Sequence, residues 1–419
     1  MFDRDKWIEI YQVLTKNPFR TLATAFGVFW GIFMLIIMLG AGQGLEKGVK
    51  ADFQYRATNS MYMWTQGTTK AYAGFKVGRN FNMNNSDMAY LRQNVEAIEY
   101  LCPRNQLGGH RGSDNVTRGI RTGAFSVYGD YPNYMKIEPR PLVGGRFLND
   151  RDINDNRKVC VIGDRVVDLL FTPEEDPVGE YVEIQGVAFQ VVGTYSSMKK
   201  GEQAEEDTKS IFIPFSTFQK AFNYGDFISW IAVTAKPEFS VMDMEENIED
   251  RLKERHKIHP EDDRAFGSWN MQKQFNQMNM IFGGIRALSW FVGVLTLIAG
   301  IIGVSNIMLV IIKERTNEFG VRRALGATPW NVRIQIISEA IVLTSIAGVL
   351  GIIAGVWSLE GINAMLESQG DAGAFRNPGV EFGIVITAFS VLIISGALAG
   401  VLPANRALRV KTIEALRAE

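Results

Sequence analysis

The 419 residues include only two cysteines, Cys102 and Cys160, and three histidines, His110, His256 and His259. So small a stock leaves the His256-x-x-His259 pair without the further ligands a metal site needs, and a solvated helix end is its simpler reading. No nucleophile, base and metal set is present that would define a membrane-anchored enzyme. Charge of one sign is not in excess either. Lys and Arg number 44 against 45 Asp and Glu, so no polyanion-binding surface arises and no nucleic-acid partner is expected. A hydrophobic content of 47% with 41 Gly and 13 Pro excludes a disordered or collagen-like chain. No Gly-x-x-x-x-Gly-Lys-Ser/Thr loop occurs, so the sequence cannot bind ATP in the P-loop manner. The cluster Gly40-x-Gly42-x-Gly44 ends an apolar run instead of joining a strand to a helix, and no nucleotide is assigned to it.

Charge is also missing locally. Four stretches contain no Asp, Glu, Lys or Arg: Thr21 to Leu45, Ala287 to Ile312, Ala340 to Leu359 and Phe382 to Asn405. At about 1.5 Å per helical residue each covers roughly 30 Å or more, enough to cross the hydrocarbon core of a bilayer. The chain therefore reads as an integral membrane protein in the lipid bilayer, with transmembrane helices over 21–45, 287–312, 340–359 and 382–405. Lys16 and Arg20 precede the first run as they would a secretion signal, but its apolar core exceeds a signal's roughly 7 to 15 residues. A run such as Phe291 to Ile312 is apolar on every face, which speaks against a buried helix of a soluble domain. The spans lack the internal carboxylate, His or Lys that binds a coupling ion at depth. They carry small-residue pairs at spacing four instead, Gly27 with Gly31, Gly351 with Gly355 and Gly396 with Gly400, which favour close helix packing.

Lys and Arg mark cytoplasmic flanks, and they cluster in residues 1–20, 313–339 and 406–419, whereas 360–381 holds only Arg376. Both termini and the 313–339 loop are thereby assigned to the cytoplasm, and 46–286 and 360–381 to the outside. Before the first span Trp7, Ile10, Tyr11 and Leu14 keep helical spacing. An amphipathic helix on the inner leaflet and a plain extension of the span both fit this N-terminus of residues 1–20. The outer domain reads as α+β, in two subdomains. Tyr181 to Val192 alternates about a Gln185-Gly186 turn, a hairpin signal. Lys158 to Gly163 and Ser210 to Pro214 read as strands, each followed by a helix, and Val241, Met244, Ile248 and Leu252 mark another helix. The polar stretch Lys199 to Lys209 reads as a solvated loop. Cys102 and Cys160 both fall outside, where oxidation is permitted, which makes them a candidate disulfide pair; spacing leaves bonded and free states open.

After the second span, Lys313 to Thr328 (KERTNEFGVRRALGAT) mixes charge with Phe319, Val321, Ala324 and Leu325. It is too polar for the bilayer and too apolar to be left bare, so a docking segment and a positive-inside anchor stand level on composition. Four stretches resemble the MacB-type, FtsX-like permeases of the type VII ABC transporters. These are Asn17 to Gly31, Gly303 to Thr328, Pro403 to Arg417, and the outer pattern of Gly145-Arg146-Phe147, Val159 to Gly163 and Ile211 to Pro214. With the order of spans and domains included, the similarity covers nearly the whole chain.

The resemblance implies a four-helix membrane protein with a large α+β extracytoplasmic domain of two lobes inserted between the first and second helices. The inserted lobe is expected near 120–210, with stalk helices at both ends of the domain. It implies a dimer, with an identical copy or a paralogue, in the bacterial inner membrane. The helix from Glu314 to Gly326 would dock on an ATPase, with Glu314, Arg315, Glu318, Arg322 and Arg323 as charged contacts. Gly320 and Gly326 would allow close approach or turning, and Phe319 and Leu325 would pack. Such permeases work by mechanotransmission, passing ATPase closure through the spans to the outer lobes, often with a periplasmic adaptor and a TolC-like exit duct. MacB itself carries its ATPase fused to the permease, whereas this sequence begins about 20 residues before its first span, so the ATPase is expected on a separate subunit. No cofactor is then expected on this chain, with ATP and Mg held by that partner. Within the same resemblance a lipoprotein-release permease and an FtsX-like regulator of cell-wall hydrolases are the alternatives. The 241 outer residues favour efflux over the regulator, whose outer domain is much smaller.

Overall fold

The structure is a computed structural model that describes residues 18–53, 56–108, 114–199, 201–368, 375 and 377–408. The expected N-terminal amphipathic helix, His110 and the tail beyond 408 lie outside the described residues. Two compact units divide the chain, one formed by Met1–Lys50 with Met280–Glu419 and the other by Ala51–Asn279.

In chain order, helix α1 (Pro18–Phe53) is followed by strands β1 (Ser60–Thr65) and β2 (Met83–Asn84), helix α2 (Asn85–Asn94) and strand β3 (Ile98–Leu107). Next come β4 (Val116–Arg118), β5 (Arg121–Gly123), β6 (Ser126–Asp130), the short helix α3 (Tyr134–Ile137) and β7 (Leu142–Gly145). Helix α4 (Asp150–Asn154), β8 (Val159–Gly163), α5 (Asp164–Leu170), β9 (Tyr181–Ile184) and β10 (Val187–Tyr195) follow. Then come α6 (Glu202–Thr208), β11 (Ser210–Pro214), α7 (Phe215–Ala221), β12 (Phe227–Ile228), β13 (Trp230–Ala235), α8 (Val241–Arg255) and β14 (Phe266–Asn270). The chain closes with α9 (Met271–Glu314), α10 (Thr316–Ala324), α11 (Pro329–Ser368) and α12 (Phe382–Leu408).

The outer unit is built on one mixed sheet in the order β14-β1-β13-β3-β6-β11-β8-β10-β9-β4-β5, with β7 added on β10. Strand β3 joins its two halves, pairing with β13 through Ile98–Arg104 and with β6 through Asn105–Leu107. One core cluster lies under β1, β3 and β13 with α2 and α8, and includes Met61, Leu91, Ile231 and Ile248. A second, with Val127, Ile162, Leu170, Ile184 and Phe218, fills the other half. Tyr134, Tyr195, Phe212 and Ala232 belong to a third cluster with residues from both halves.

Local chemistry explains the edges of these elements. Asn84 caps α2 by accepting from the Asp87 N–H at 3.1 Å, while the Asp87 carboxylate accepts from the Asn84 N–H at 2.9 Å. That reciprocal pair satisfies two donors that a helix start leaves open. Gln185 and Gly186 both take positive φ, 47° and 79°, in the two-residue turn between β9 and β10, as a primed hairpin turn requires. Val241, Met244, Ile248 and Leu252 form the buried stripe of α8.

Two expectations change. Lys199 to Lys209 contains helix α6 rather than only loop. Glu202 and Glu205 sit in its first turn, where the helix dipole favours acids, and Arg165 and Arg140 pair with Glu205 and Asp207. The candidate disulfide is not formed: Cys102 and Cys160 are free, buried thiols on β3 and β8. Two strands, β6 and β11, lie between those strands, so the thiols stand about three strand spacings or ~14 Å apart against the ~7 Å limit for bridged Cα atoms. Burial pushes the Cys102 thiol up to about 12.

The charge-free runs belong to longer helices. Among the described residues, four helices are long and apolar enough to cross a membrane, over Thr21–Ala51, Met271–Glu314, Pro329–Leu366 and Phe382–Leu408. All but the last extend well past the charge-free runs. Those runs mark only the part of a helix that suits hydrocarbon, while backbone hydrogen bonding carries the helix on through charged residues. The 44-residue α9 is about 66 Å long, twice what a span needs.

Candidate functional site: the span contacts and the turn from α9 to α11

The helices of the membrane unit meet at their glycines. A β-carbon on Gly27 would touch Gly300 Cα at 3.6 Å, and one on Gly31 would meet Thr296 at 3.4 Å. On Gly351 it would lie 2.7 Å from the Phe29 carbonyl oxygen, and on Gly355 2.7 Å from Ile36. On Gly396 it would collide with the Thr344 hydroxyl, and on Gly400 it would stand 2.9 Å from Ile337 Cα. The three pairs thus sit at the contacts of α1 with α9, α1 with α11, and α11 with α12. Gly40 and Gly44 belong to the same packing, against Leu359 and Pro378. Around them Val28, Ile32, Ile36, Val304, Ile336 and Leu392 form a buried apolar core.

At the end of α9 the chain breaks at Arg315, whose backbone leaves the helical range with ψ of 13°. The nine-residue α10 then runs to Ala324. Gly326 ends it with φ of +100°: its N–H bonds the Arg323 carbonyl at 3.2 Å and the Ala327 N–H bonds that of Arg322 at 3.0 Å. This crossed pair is the Schellman stop, and only glycine takes that φ without strain.

The charged residues of this segment face inward to a greater extent than a pure docking surface would. Arg315, its side chain 10% exposed, donates from Nε and Nη2 to the Glu318 carboxylate, both at 2.8 Å, and from Nη1 to Glu339 at 3.1 Å. Glu339 on α11 is buried. Burial pulls the Arg315 guanidinium down, and Glu318 and Glu339 more than offset it, so its affinity for its proton is raised. Arg322 bonds Glu318 and the Gln335 amide oxygen, each at 2.8 Å, and Arg323 donates to the Leu408 carbonyl at 3.3 Å. Phe319 and Gly320 are buried, with the Arg315 guanidinium 5.1 Å from the Phe319 ring centre. Glu314 ends α9 at an exposed position.

The exposed residues include apolar ones beside the polar Lys313, Glu314 and Asn317. Leu325 is 84% exposed, Trp330 64% and Val321 41%. Of the segment's residues singled out in the sequence, Arg315 and Arg322 are tied to α11 through Glu339 and Gln335, Glu318 bridges the two arginines, Phe319 and Gly320 are buried, and Leu325 is set apart from them. Sequence reasoning missed Glu339 and Gln335. Their signal was slight: two polar residues one helical turn apart, immediately before the third charge-free run.

The profile of the MacB-like periplasmic core domain matches residues 21–251, and that of the FtsX-like permease C-terminal region matches 290–412. Among curated relatives, the pyoverdine export ATP-binding/permease protein PvdT of Pseudomonas putida is 29% identical over 98% of this chain and 59% of its own length. The macrolide export ATP-binding/permease protein MacB of Rhodospirillum rubrum is 27% identical over 97% and 59%. The chain thus spans about three fifths of the relatives it matches. Among solved structures, the periplasmic region of MacB from Actinobacillus actinomycetemcomitans aligns with a TM-score of 0.43 at 19% identity, over 54% of this chain and 96% of that one. With one profile covering more than half of its length and the second its remaining spans, the chain belongs to the MacB-like, FtsX-like permeases of the type VII ABC transporters.

Proposed function

We propose that this chain is the permease subunit of an ABC transporter that works by mechanotransmission. An ABC ATPase partner hydrolyses ATP with Mg, its closure moves α10, and the span helices pass the movement to the outer unit. The observation that carries the reading is the two-sided character of α10. On one side its N-cap Arg315 pairs with Glu318 and with Glu339 of α11, while Val321 and the C-cap Leu325 are exposed apolar side chains. A helix gripped on one side and carrying exposed apolar side chains suits a part that is pushed. The charge-free spans, closely packed at their glycines, fit a bundle that transmits motion better than one that conducts a polar solute.

The same reading places the chain as a dimer in a bacterial inner membrane, with both termini and α10 in the cytoplasm and the outer unit in the periplasm. Export of a periplasmic substrate through an adaptor and a TolC-like duct is its proposed role. An outer unit running from Ala51 to Asn279 supports this over a hydrolase regulator.

The test is co-purification with an ABC ATPase from the same cell. Leu325→Asp puts a charge on the exposed apolar spot without touching the ion-paired face. It is expected to release the ATPase while the melting temperature stays that of the parent. Undiminished ATPase retention by Leu325→Asp and by Val321→Asp would remove α10 as the docking element.

A further inference from the structure

A cleft of about 490 Å³ opens within the outer unit between β1, β3 and β6 on one side and α3 and α6 on the other. Its size falls in the range of small-molecule sites. Two of its carboxylates, Glu138 and Asp207, are engaged at both oxygens. Glu138 accepts from the Tyr134 hydroxyl with one oxygen and from Arg140 Nη2 at 3.3 Å with the other. Asp207 takes Arg140 Nη1 at 2.9 Å and the Ser197 hydroxyl at 2.9 Å. Deeper in, Arg104 and Asp130 form a closed bidentate pair at 2.6 and 2.8 Å.

The donors are not saturated. Arg140 lines the cleft with its side chain 9% exposed, and its Nε is buried with no acceptor among the described residues. An orphaned buried donor of this kind is costly unless something fills the role of acceptor. Arg56 reaches Glu138 only at 3.5 Å, and Lys199 reaches Asp207 only at 3.8 Å, both too long for a good hydrogen bond. Glu206 on the same wall is engaged by Lys209 at 2.8 Å. Arg56, Arg140 and Lys199 thus face two carboxylates, which leaves the cleft with an excess of one positive charge. The rings of Tyr62, Tyr128 and Trp269 supply apolar wall.

We infer that this cleft binds an organic monoanion, an aromatic carboxylate in class, whose carboxylate meets Arg56, Arg140 and Lys199 and whose flat body lies against the tyrosine and tryptophan rings. Guanidinium forks recognise carboxylates, and rings stack on rings. The inference deepens the proposed function by naming a class of cargo. It rests on that reading only for the cargo's export.

The experiment therefore measures binding without the ATPase. Titration of the full chain in nanodiscs with 2-naphthoate, followed by proton line broadening of the ligand, is expected to saturate, while uncharged 2-naphthylmethanol gives no more than protein-free nanodiscs. The double variant Arg56→Gln, Lys199→Gln alters the rim and not the buried pairs. It is expected to bind at least roughly tenfold more weakly with an unchanged melting temperature, having lost two charge-assisted contacts. Arg140→Gln is expected to weaken binding at least as much. No saturable signal, equal binding of the alcohol, or full affinity in the double variant would each overturn the inference. None of these outcomes bears on whether α10 holds an ATPase.

Discussion

Single buried charges decide much of the local order. Asp87 is wholly buried at the start of α2, yet it accepts from the Asn84 N–H, from Arg255 Nε at 2.7 Å, and lies 3.0 Å from His256 Nε2. Burial pushes its carboxyl up, and His256, the Asn84 N–H and Arg255 together hold it below its ordinary value. A carboxyl depressed on folding adds stability that is complete above about pH 4 and is lost as the pH falls through the folded value. Asp87→Asn should therefore lower the melting temperature at neutral pH, by the equivalent of about 1–3 kcal/mol, and flatten the loss of stability on acidification. Melting curves recorded between neutral and acid pH check both effects, and an unchanged acid limb would refute this role. The same residues show what sequence conveys at this scale. Asn84 and Asp87 are neighbours along the chain, but the partners Arg255 and His256 come from far along it. His256, read alone, is only the end of a helix.

Elements were legible where a local rule sets them. The Gln185-Gly186 hairpin, the strands Val159–Gly163 and Ser210–Pro214, and the apolar stripe of α8 follow from turn chemistry and periodicity. Helix α6 was not legible, because its stability comes from ion pairs to Arg140 and Arg165, each outside the segment. The turn at Arg315 lies between these cases: the motif announces a short helix, but only the fold shows that Glu339 grips it. Removing the Glu339 charge leaves Arg315 held by Glu318 alone, so the tie from this turn to α11 is weakened. Glu339→Gln is thus expected to keep the ATPase bound through the exposed Val321 and Leu325, yet to break the link between ATPase closure and the spans. Measured in a reconstituted pair, ATP hydrolysis would continue while transport falls; Glu339→Asp would recover part of it. Loss of ATPase binding in Glu339→Gln would instead place Glu339 in the docking itself.

At the scale of the whole molecule, the outer unit closes its own cores. All three of its clusters are drawn from residues between Met61 and Phe266. A segment of Ala51–Asn279 expressed without the spans is expected to be soluble and to melt cooperatively, as a unit with its own core does. An insoluble product, or one without a cooperative transition, would show that the spans are needed to complete the fold. By itself the sequence determined the four spans, the insertion of a large α+β unit after the first of them, and the family, since charge-free length and contiguous motifs are properties of the chain read in order. It also marked the glycines, because small residues at spacing four are visible without coordinates. Which helix each glycine meets, that Cys102 and Cys160 lie too far apart to bond, that Arg315 is held by Glu339, and that Arg56, Arg140 and Lys199 converge on one cleft were decided only by tertiary structure. The physical reason is common to all four: each depends on distances between residues remote in sequence, which packing and sheet order set and no local pattern encodes.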